Sequence, residues 1–364
     1  MRILHVLKQL ALNGTETYVM NLYREASKHG IIFDFLLYDD SRQGYYDEAV
    51  ALGSKIYKLP SRKNVSKYYQ ELNNFFKHNA NTYSAIHMCA GSLSSIAPLR
   101  YAKKYKIPIR IYHSHNASCR GIHNKLLHAI NKRRLPKIAT DFFACSKSAQ
   151  EFAFSHTSDF SKSIVIDNGI DLDKYKYQEN IRKEIRKELN IENRFVLGHI
   201  GRFVPEKNHK FLIDLFAEYH RQNTDAILLL IGQGPLEEEI RNQINKLGIQ
   251  EAVKILGIRT DVNKILSALD LFLMPSIFEG FPFVLVEAQA SGLPIIVSNN
   301  VSPEVKLIDS LEFKDLKDST EDWLATIKRM KAQNSDRTLN REALKKYDAR
   351  RSNQLVIELY QSNQ

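Results

Sequence analysis

The densest set of chemically capable residues lies between Met274 and Pro294, in the run MPSIFEGFPFVLVEAQASGLP. Two glutamates, Glu279 and Glu287, stand eight positions apart in it. The pattern predicts a loop carrying Glu279 and Gly280, then a helix with Pro282 in its first turn, running to Ser291 and stopped by Gly292 and Pro294. The first N–H groups of such a helix, around Phe283 and Val284, have no intrahelical acceptor. With the helix dipole they form an anion site suited to a diphosphate. A carboxylate at Glu287 does not bind phosphate, but it accepts hydrogen bonds from a vicinal diol such as a ribose. Glu279, in the loop before, can do the same for sugar hydroxyls. One glutamate on a helix is usually a solvated face; two that flank Gly-aromatic-Pro on an otherwise apolar helix point to a binding site.

Four further segments carry weaker signals. Gly201-Arg202-Phe203-Val204-Pro205-Glu206-Lys207-Asn208 follows an apolar run, and its Arg202 and Lys207 could meet one anion, the guanidinium as a fork and the ammonium as a point charge. Two solvated surface cations are the plain alternative. Gly232-Gln233-Gly234-Pro235 is a tight turn or a close approach of backbone to a ligand. It is not GxGxxG, so it does not signal a nicotinamide cofactor. Leu256-Gly257-Ile258-Arg259 repeats the arrangement. Tyr112-His113-Ser114-His115-Asn116 ends another apolar run, and two histidines at a strand end favour function over a core role. They have no carboxylate close by in the sequence, and no HExxH or DxD-like metal pair is expected, so no metal is assigned.

The elements that must hold these loops alternate short apolar strands with amphipathic helices. Strands are expected at Ile3–Leu7, Phe33–Leu37, Ile56–Leu59, Ala85–Cys89, Ile107–Tyr112, Asp141–Cys145 and Ile164–Asp167, then at Phe195–Ile200, Ala226–Ile231, Val253–Leu256, Leu271–Met274 and Pro294–Ser298. Helices are expected at Glu16–His29, Val65–His78 and Ser94–Lys104, with a terminal one in Tyr347–Tyr360. This is the α/β class with parallel sheets, in two doubly wound copies, and it puts the loops at the carboxyl edges where ligands bind. A chain of 364 residues suits two domains. We expect them at 1–170 and 171–346, with 347–364 as a helix returning to the first. The hinge is expected near 168–193, where Asn168-Gly169 suits a left-handed backbone.

Bulk properties narrow the partners. No run of about 18 apolar residues occurs, so no membrane span is expected, and the start reads as a strand and not as a signal peptide. Cys89, Cys119 and Cys145 are widely spaced without CxxC, which suits a reducing cytoplasm and argues against a cysteine-rich zinc site. The net charge of +11 is uneven: residues 1–170 hold 24 Lys and Arg against 12 Asp and Glu, residues 171–364 hold 28 against 29. The first half should therefore meet something anionic. Residues Arg120–Lys137 are basic, with Ile122, Leu126, Leu127 and Ile130 at helical spacing, so they either lie on anionic lipid or bury an apolar face beneath a solvated basic one. Aromatic residues do not interleave with the basic ones as single-stranded nucleic-acid binding requires, and no nucleic-acid partner is expected.

These motifs together resemble glycosyltransferase family 4, retaining enzymes of the GT-B fold, over nearly the whole chain. The matching positions are Glu279…Glu287, Gly201-Arg202…Glu206-Lys207-Asn208, Gly232–Pro235, Leu256–Arg259 and Asn168–Asp171. The resemblance implies two Rossmann-like domains facing across a cleft, with a nucleotide sugar as donor substrate, no cofactor and no metal. It implies that Arg202 and Lys207 hold the donor pyrophosphate, that Glu287 binds ribose, and that Glu279 contacts the transferred sugar. Backbone at Phe281, Phe283 and Val284 would help, and backbone at Ile258 and Arg259 would line the base pocket. The usual Gly-Gly loop reads Asn13-Gly14-Thr15-Glu16 here, one glycine short, with Gly14 left to approach the donor phosphate. His115 would touch the donor sugar, with His113 as second candidate. Bacterial capsule and exopolysaccharide enzymes are the similar members. They imply a UDP-hexose or UDP-N-acetylhexosamine donor, a saccharide or lipid-pyrophosphate-linked acceptor, and a cytoplasmic protein at the inner face of the membrane. A nucleotide-sugar epimerase of similar fold and a non-catalytic partner subunit are the alternatives.

Overall fold

The computed structural model describes the chain except residues 40, 41, 43, 61, 63, 117, 120, 159, 168, 280, 334–336, 338–341, 363 and 364. Arg120, Asn168 and Gly280, singled out above, lie outside the described residues. The chain divides into two compact units, Met1–Gly169 with Tyr347–Gln364, and Ile170–Lys346.

The first unit is a seven-stranded parallel sheet of β1 (Arg2–Leu7), β2 (Ile32–Leu37), β3 (Ile56–Lys58), β4 (Ala85–Ala90), β5 (Ile109–Ser114), β6 (Asp141–Ala144) and β7 (Ile164–Val165), in the order β3-β2-β1-β4-β5-β6-β7. Strands β1, β2 and β4 are short, mostly apolar and buried on both faces, as parallel strands are when helices cover the sheet. One face packs Leu72, Phe76 and Leu99 from crossing helices; the other packs Tyr18 and Tyr23 of helix Gly14–Lys28 and Val356, Ile357 and Tyr360 of the terminal helix Ala349–Gln361. Asp348 caps that terminal helix by accepting from Arg350 N.

The second unit is a six-stranded parallel sheet of β8 (Phe195–Ile200), β9 (Ala226–Ile231), β10 (Val253–Gly257), β11 (Leu271–Met274), β12 (Ile295–Ser298) and β13 (Leu311–Lys314), in the order β10-β9-β8-β11-β12-β13. Both sheets reverse winding direction beside their first strand, between β1 and β4 and between β8 and β11. Such a switch point opens a crevice at the carboxyl edge. It makes the loops after β8 and β11 neighbours although β9 and β10 separate them in sequence.

Three local details differ from the expectations. The fifth strand opens at Ile109, not Ile107: Ile107 N bonds back to Ala102 O of the preceding helix, and Pro108 has no N–H to give a ladder. β13 was not expected, because four residues with two charges, Leu311-Glu312-Phe313-Lys314, form an edge strand without a continuous apolar run. Gly169 does not adopt a left-handed backbone. It is small for another reason: a Cβ there would meet Ala349 Cα at 2.3 Å, where the terminal helix begins.

Candidate donor site in the second unit

The site is assembled from the loops after β8, β9, β10 and β11. The first three are knotted by backbone bonds, Gly201 N to Ile231 O at 2.9 Å, Phe203 N to Gln233 O at 3.0 Å and Gly232 N to Gly257 O at 2.8 Å. This knot explains the glycines. A Cβ on Gly232, whose φ is +138°, would meet Gly201 O at 2.0 Å, and one on Gly234 would meet Phe203 O at 2.4 Å. A Cβ on Gly201 would meet Cε of Lys207 at 3.2 Å and Nε2 of His199 at 3.1 Å, so Gly201 is the floor over which the lysine stem lies.

Lys207 ends a 3₁₀ turn, Pro205–Lys207, closed by Lys207 N to Val204 O at 3.1 Å. The loop after β11 is tied to that turn by Ile277 N to Glu206 O at 2.8 Å. Glu279 is held extended by a parallel bridge to Val301. These constraints bring Lys207 Nζ to 2.6 Å from Glu279 Oε1, an ion pair about one-sixth exposed at each end. Arg202 is exposed, and its side chain makes no ion pair or hydrogen bond among the described residues. So Arg202 and Lys207 do not converge on one another's target here: one is engaged, the other free.

The helix after this loop is Phe283–Ala290. Pro282 is its N-cap, one residue before the expected first turn, and has no side chain that could cap. The N–H groups of Phe283 and Val284 find no backbone acceptor among the described residues; Leu285 N bonds Pro282 O at 3.0 Å. The rings of Phe281 and Phe283 pack edge to face, with centroids 5.4 Å apart. The helix is anchored behind by buried Gln289, whose amide donates to Leu285 O and Val305 O and accepts from Leu307 N and Ile308 N. Glu287 lies on its first two turns and accepts from the Tyr175 hydroxyl at 2.9 Å. Burial raises the Glu287 carboxyl above its ordinary value, opposed by Tyr175 and by the charge of Lys174.

On the neighbouring loop Ile258 is half exposed, whereas the Arg259 guanidinium is taken by Asp261 at 2.8 Å and Glu188 at 3.1 Å. Only the backbone there is left for a ligand. The D-x-D spacing at Asp171 and Asp173 is a turn, with Asp171 Oδ1 accepting from Asp173 N and Lys174 N.

In the first unit, Gly14 opens a helix after β1, and a Cβ on it would meet nothing within 4 Å. His115 follows β5, its N–H bonded to Ala90 O at 3.0 Å. Among the described residues both its ring nitrogens are buried without a partner, as are Nε2 of His113 and the hydroxyl of Tyr18, whose ring meets both histidines. His113 itself is fully buried inside the sheet–helix core. It is the end of a chain of bonds: His5 Nε2 to Tyr360 Oη at 3.3 Å, Tyr360 Oη to His87 Nδ1 at 2.6 Å, His87 Nε2 to His113 Nδ1 at 3.2 Å. Burial pushes His5 and His115 down to about 3, and His87 and His113 well below the ordinary histidine value, so all four rings are neutral.

Residues 12–174 match the family described as Glycosyltransferase Family 4, and residues 181–350 match Glycosyl transferases group 1. A putative glycosyltransferase EpsF of Bacillus subtilis is 33% identical over 311 residues, 84% of this chain and 80% of that protein. The chain belongs to glycosyltransferase family 4. An Escherichia coli UDP-Gal:alpha-D-GlcNAc-diphosphoundecaprenol alpha-1,3-galactosyltransferase is 36% identical over 143 residues, 38% of this chain and 37% of that enzyme. The structure of Anabaena Alr3699/HepE in complex with UDP-glucose matches over 100% of both chains with a TM-score of 0.76 at 21% identity, a likeness of GT-B fold.

Sequence reasoning about this glycosyltransferase missed Tyr175 and His199. Tyr175 sits in a polar stretch and shows its purpose only through Glu287. His199 lies within an apolar strand; its Nδ1 donates to Leu273 O at 2.8 Å, and Nε2 is buried without a partner below Gly201. Among the described residues one side-chain set has metal-ligand spacing, His87, Cys89 and His113, with ligand atoms within 4.8 Å of one another. The His87–His113 bond already occupies two of those nitrogens.

Proposed function

We propose that this glycosyltransferase moves a hexose or N-acetylhexosamine from a UDP-sugar to a saccharide or lipid-linked saccharide acceptor during assembly of a bacterial surface polysaccharide. The observation that carries the donor half is the convergence of Lys207, Glu279, the free N–H groups of Phe283 and Val284, and the Tyr175–Glu287 pair at one switch point. The N–H groups and Lys207 receive the diphosphate, Arg202 closes on it from solvent, and Glu287 accepts from ribose hydroxyls. Sugar hydroxyls replace Lys207 as the partner of Glu279. The glycines knot the loops, and the backbone at Ile258 and Arg259 borders the base.

Transfer then breaks the bond from the anomeric carbon to the phosphate oxygen and forms one to the acceptor oxygen on the same face. The acceptor proton passes to the departing phosphate oxygen. Such a route through an oxocarbenium-like state needs no enzyme nucleophile. Lys207, Arg202 and the helix N–H groups stabilise the leaving diphosphate, the role a metal would otherwise fill. In the first unit, Gly14 and His115 are assigned to phosphate and transferred sugar. The activity named for the Escherichia coli relative supports the substrate class: UDP-Gal and a diphosphoundecaprenol-linked sugar.

The test is a panel of UDP- and GDP-sugars in a binding assay, then transfer to lipid-pyrophosphate-linked saccharides with and without EDTA. An α-linked product from an α-linked donor, at rates EDTA does not change, supports the reading. Conversion of the donor sugar with no acceptor present would replace it by epimerisation.

A further inference from the structure

The helix Ile122–Arg134 is turned inside out. Its inward residues are polar: the N–H of Leu93 donates to Nδ1 of buried His128 at 3.1 Å, and His128 Nε2 donates to Phe152 O at 3.2 Å. Asn131 donates to Leu93 O at 2.7 Å, and Lys132 Nζ to Phe152 O at 3.0 Å. Its outward residues include an apolar stripe one turn apart, Ile122, Leu126 and Ile130, exposed by 88%, 60% and 37%. A helix that hides hydrogen-bonding groups and shows isoleucine and leucine to solvent has the reverse of the usual polarity. The stripe is therefore not the core face that the sequence left as an alternative.

Charge says what covers it. Lys125, Arg133 and Arg134 are exposed on the same helix, and none forms an ion pair among the described residues. The helix has no acidic residue. No aspartate or glutamate occurs anywhere between Glu71 and Asp141, while twelve lysines and arginines do. Exposed apolar side chains ringed by cations fit an interfacial helix on an anionic bilayer, where the stripe enters the acyl boundary and the cations meet headgroup phosphates.

We propose that the face carrying Ile122, Leu126, Ile130, Lys125, Arg133 and Arg134 docks the protein on an anionic lipid surface. The helix is held to its unit by His128, Asn131 and Lys132, so docking requires no unfolding. The face follows the loop that carries His115, which sets the first unit's carboxyl edge close to the surface from which a lipid-linked acceptor would come.

The experiment is co-sedimentation of the full chain with vesicles of phosphatidylglycerol and phosphatidylcholine, and with phosphatidylcholine alone, with no nucleotide or acceptor present. Binding does not depend on transfer, so its failure leaves the donor site untouched, and UDP affinity of each variant is measured in parallel. The expected result is binding to the anionic vesicles, weakened at least tenfold by Ile122→Ser with Leu126→Ser, weakened by Arg133→Glu with Arg134→Glu, and weakened by raised salt. All four side chains are exposed, so the melting temperature and UDP affinity stay those of the parent. Equal binding to both vesicle types, or full binding by the Ile122→Ser, Leu126→Ser variant, would overturn the proposal. So would no vesicle binding together with a concentration-dependent dimer that the same two substitutions abolish.

Discussion

Lys207 and Glu279, 72 positions apart in the chain, form an ion pair of 2.6 Å across the switch point of the second sheet. Each end is mostly buried, so neither charge is solvated as a free side chain would be. In the function proposed, the donor divides this pair, phosphate taking the ammonium and sugar hydroxyls taking the carboxylate. Lys207→Ala should therefore lower both UDP affinity and transfer, the latter by roughly 100-fold or more, as loss of one leaving-group or oxyanion donor does. Glu279→Ala should abolish transfer comparably yet leave UDP affinity equal or higher, because it releases Lys207. Calorimetric titration with UDP distinguishes the two; an equal loss of UDP affinity in both variants would refute this division of labour.

Glu287 makes the opposite trade. Its folded-state pKa lies above the ordinary 4.5 because burial disfavours the charge. Between those two values the folded chain keeps a proton that the unfolded chain has lost. This contribution to stability is full below about 4.5 and is lost as pH rises through the raised value. Glu287→Gln keeps an acceptor for Tyr175 and removes the charge. Without nucleotide it should melt higher than the parent at pH 8 and equally at pH 4, while binding UDP more weakly. A lower melting temperature at pH 8 would show that the carboxylate stabilises the empty site.

The histidine chain of the first unit sets an acid limit. His5 and His115 are held to about 3, and His87 and His113 well below the ordinary histidine value, by burial. Unfolding lets each ring take a proton below about 6.5, so stability present above that pH is lost as pH falls through the window down to about 3. The slope approaches about 1.4 kcal/mol per pH unit for each ring. Urea midpoints should drop steeply from pH 7 to pH 5; a flat profile would mean the rings are charged in the fold. Tyr360→Phe removes the partner of His87 Nδ1 and should cost about 1–3 kcal/mol at pH 7, the usual penalty for an orphaned buried group.

Much of this was legible in the sequence because periodicity and turn residues act locally. Every strand with a continuous apolar run, such as Ala226–Ile231, was visible; the charged edge strand Leu311–Lys314 was not. Glu279, Glu287, Lys207 and the helix start were legible as types at a spacing. Their pairing was not, since Lys207 meets Glu279, and Glu287 meets Tyr175, only through strand order. Arg259 was expected to offer its backbone to the base pocket; that its guanidinium is taken by Asp261 and Glu188 shows only in the structure. The stripe on Ile122–Arg134 had two readings until its exposure was known.

The glycines separate fold from ligand. Gly232→Ala places a methyl 2.0 Å from Gly201 O at a positive φ, so the knot of loops must open and the floor beneath Lys207 must shift. Both stability and UDP binding should fall. Gly14 is the contrary case. Its φ is not left-handed, a Cβ there meets nothing within 4 Å, and it stands at the first position of a helix, where alanine is at least as favourable. The fold gives no reason for glycine at that point; close approach of a ligand does. Gly14→Ala should hold the melting temperature within a degree or rise, and still lower transfer at least tenfold. Unchanged transfer in that variant would refute the assignment of Gly14 to donor phosphate.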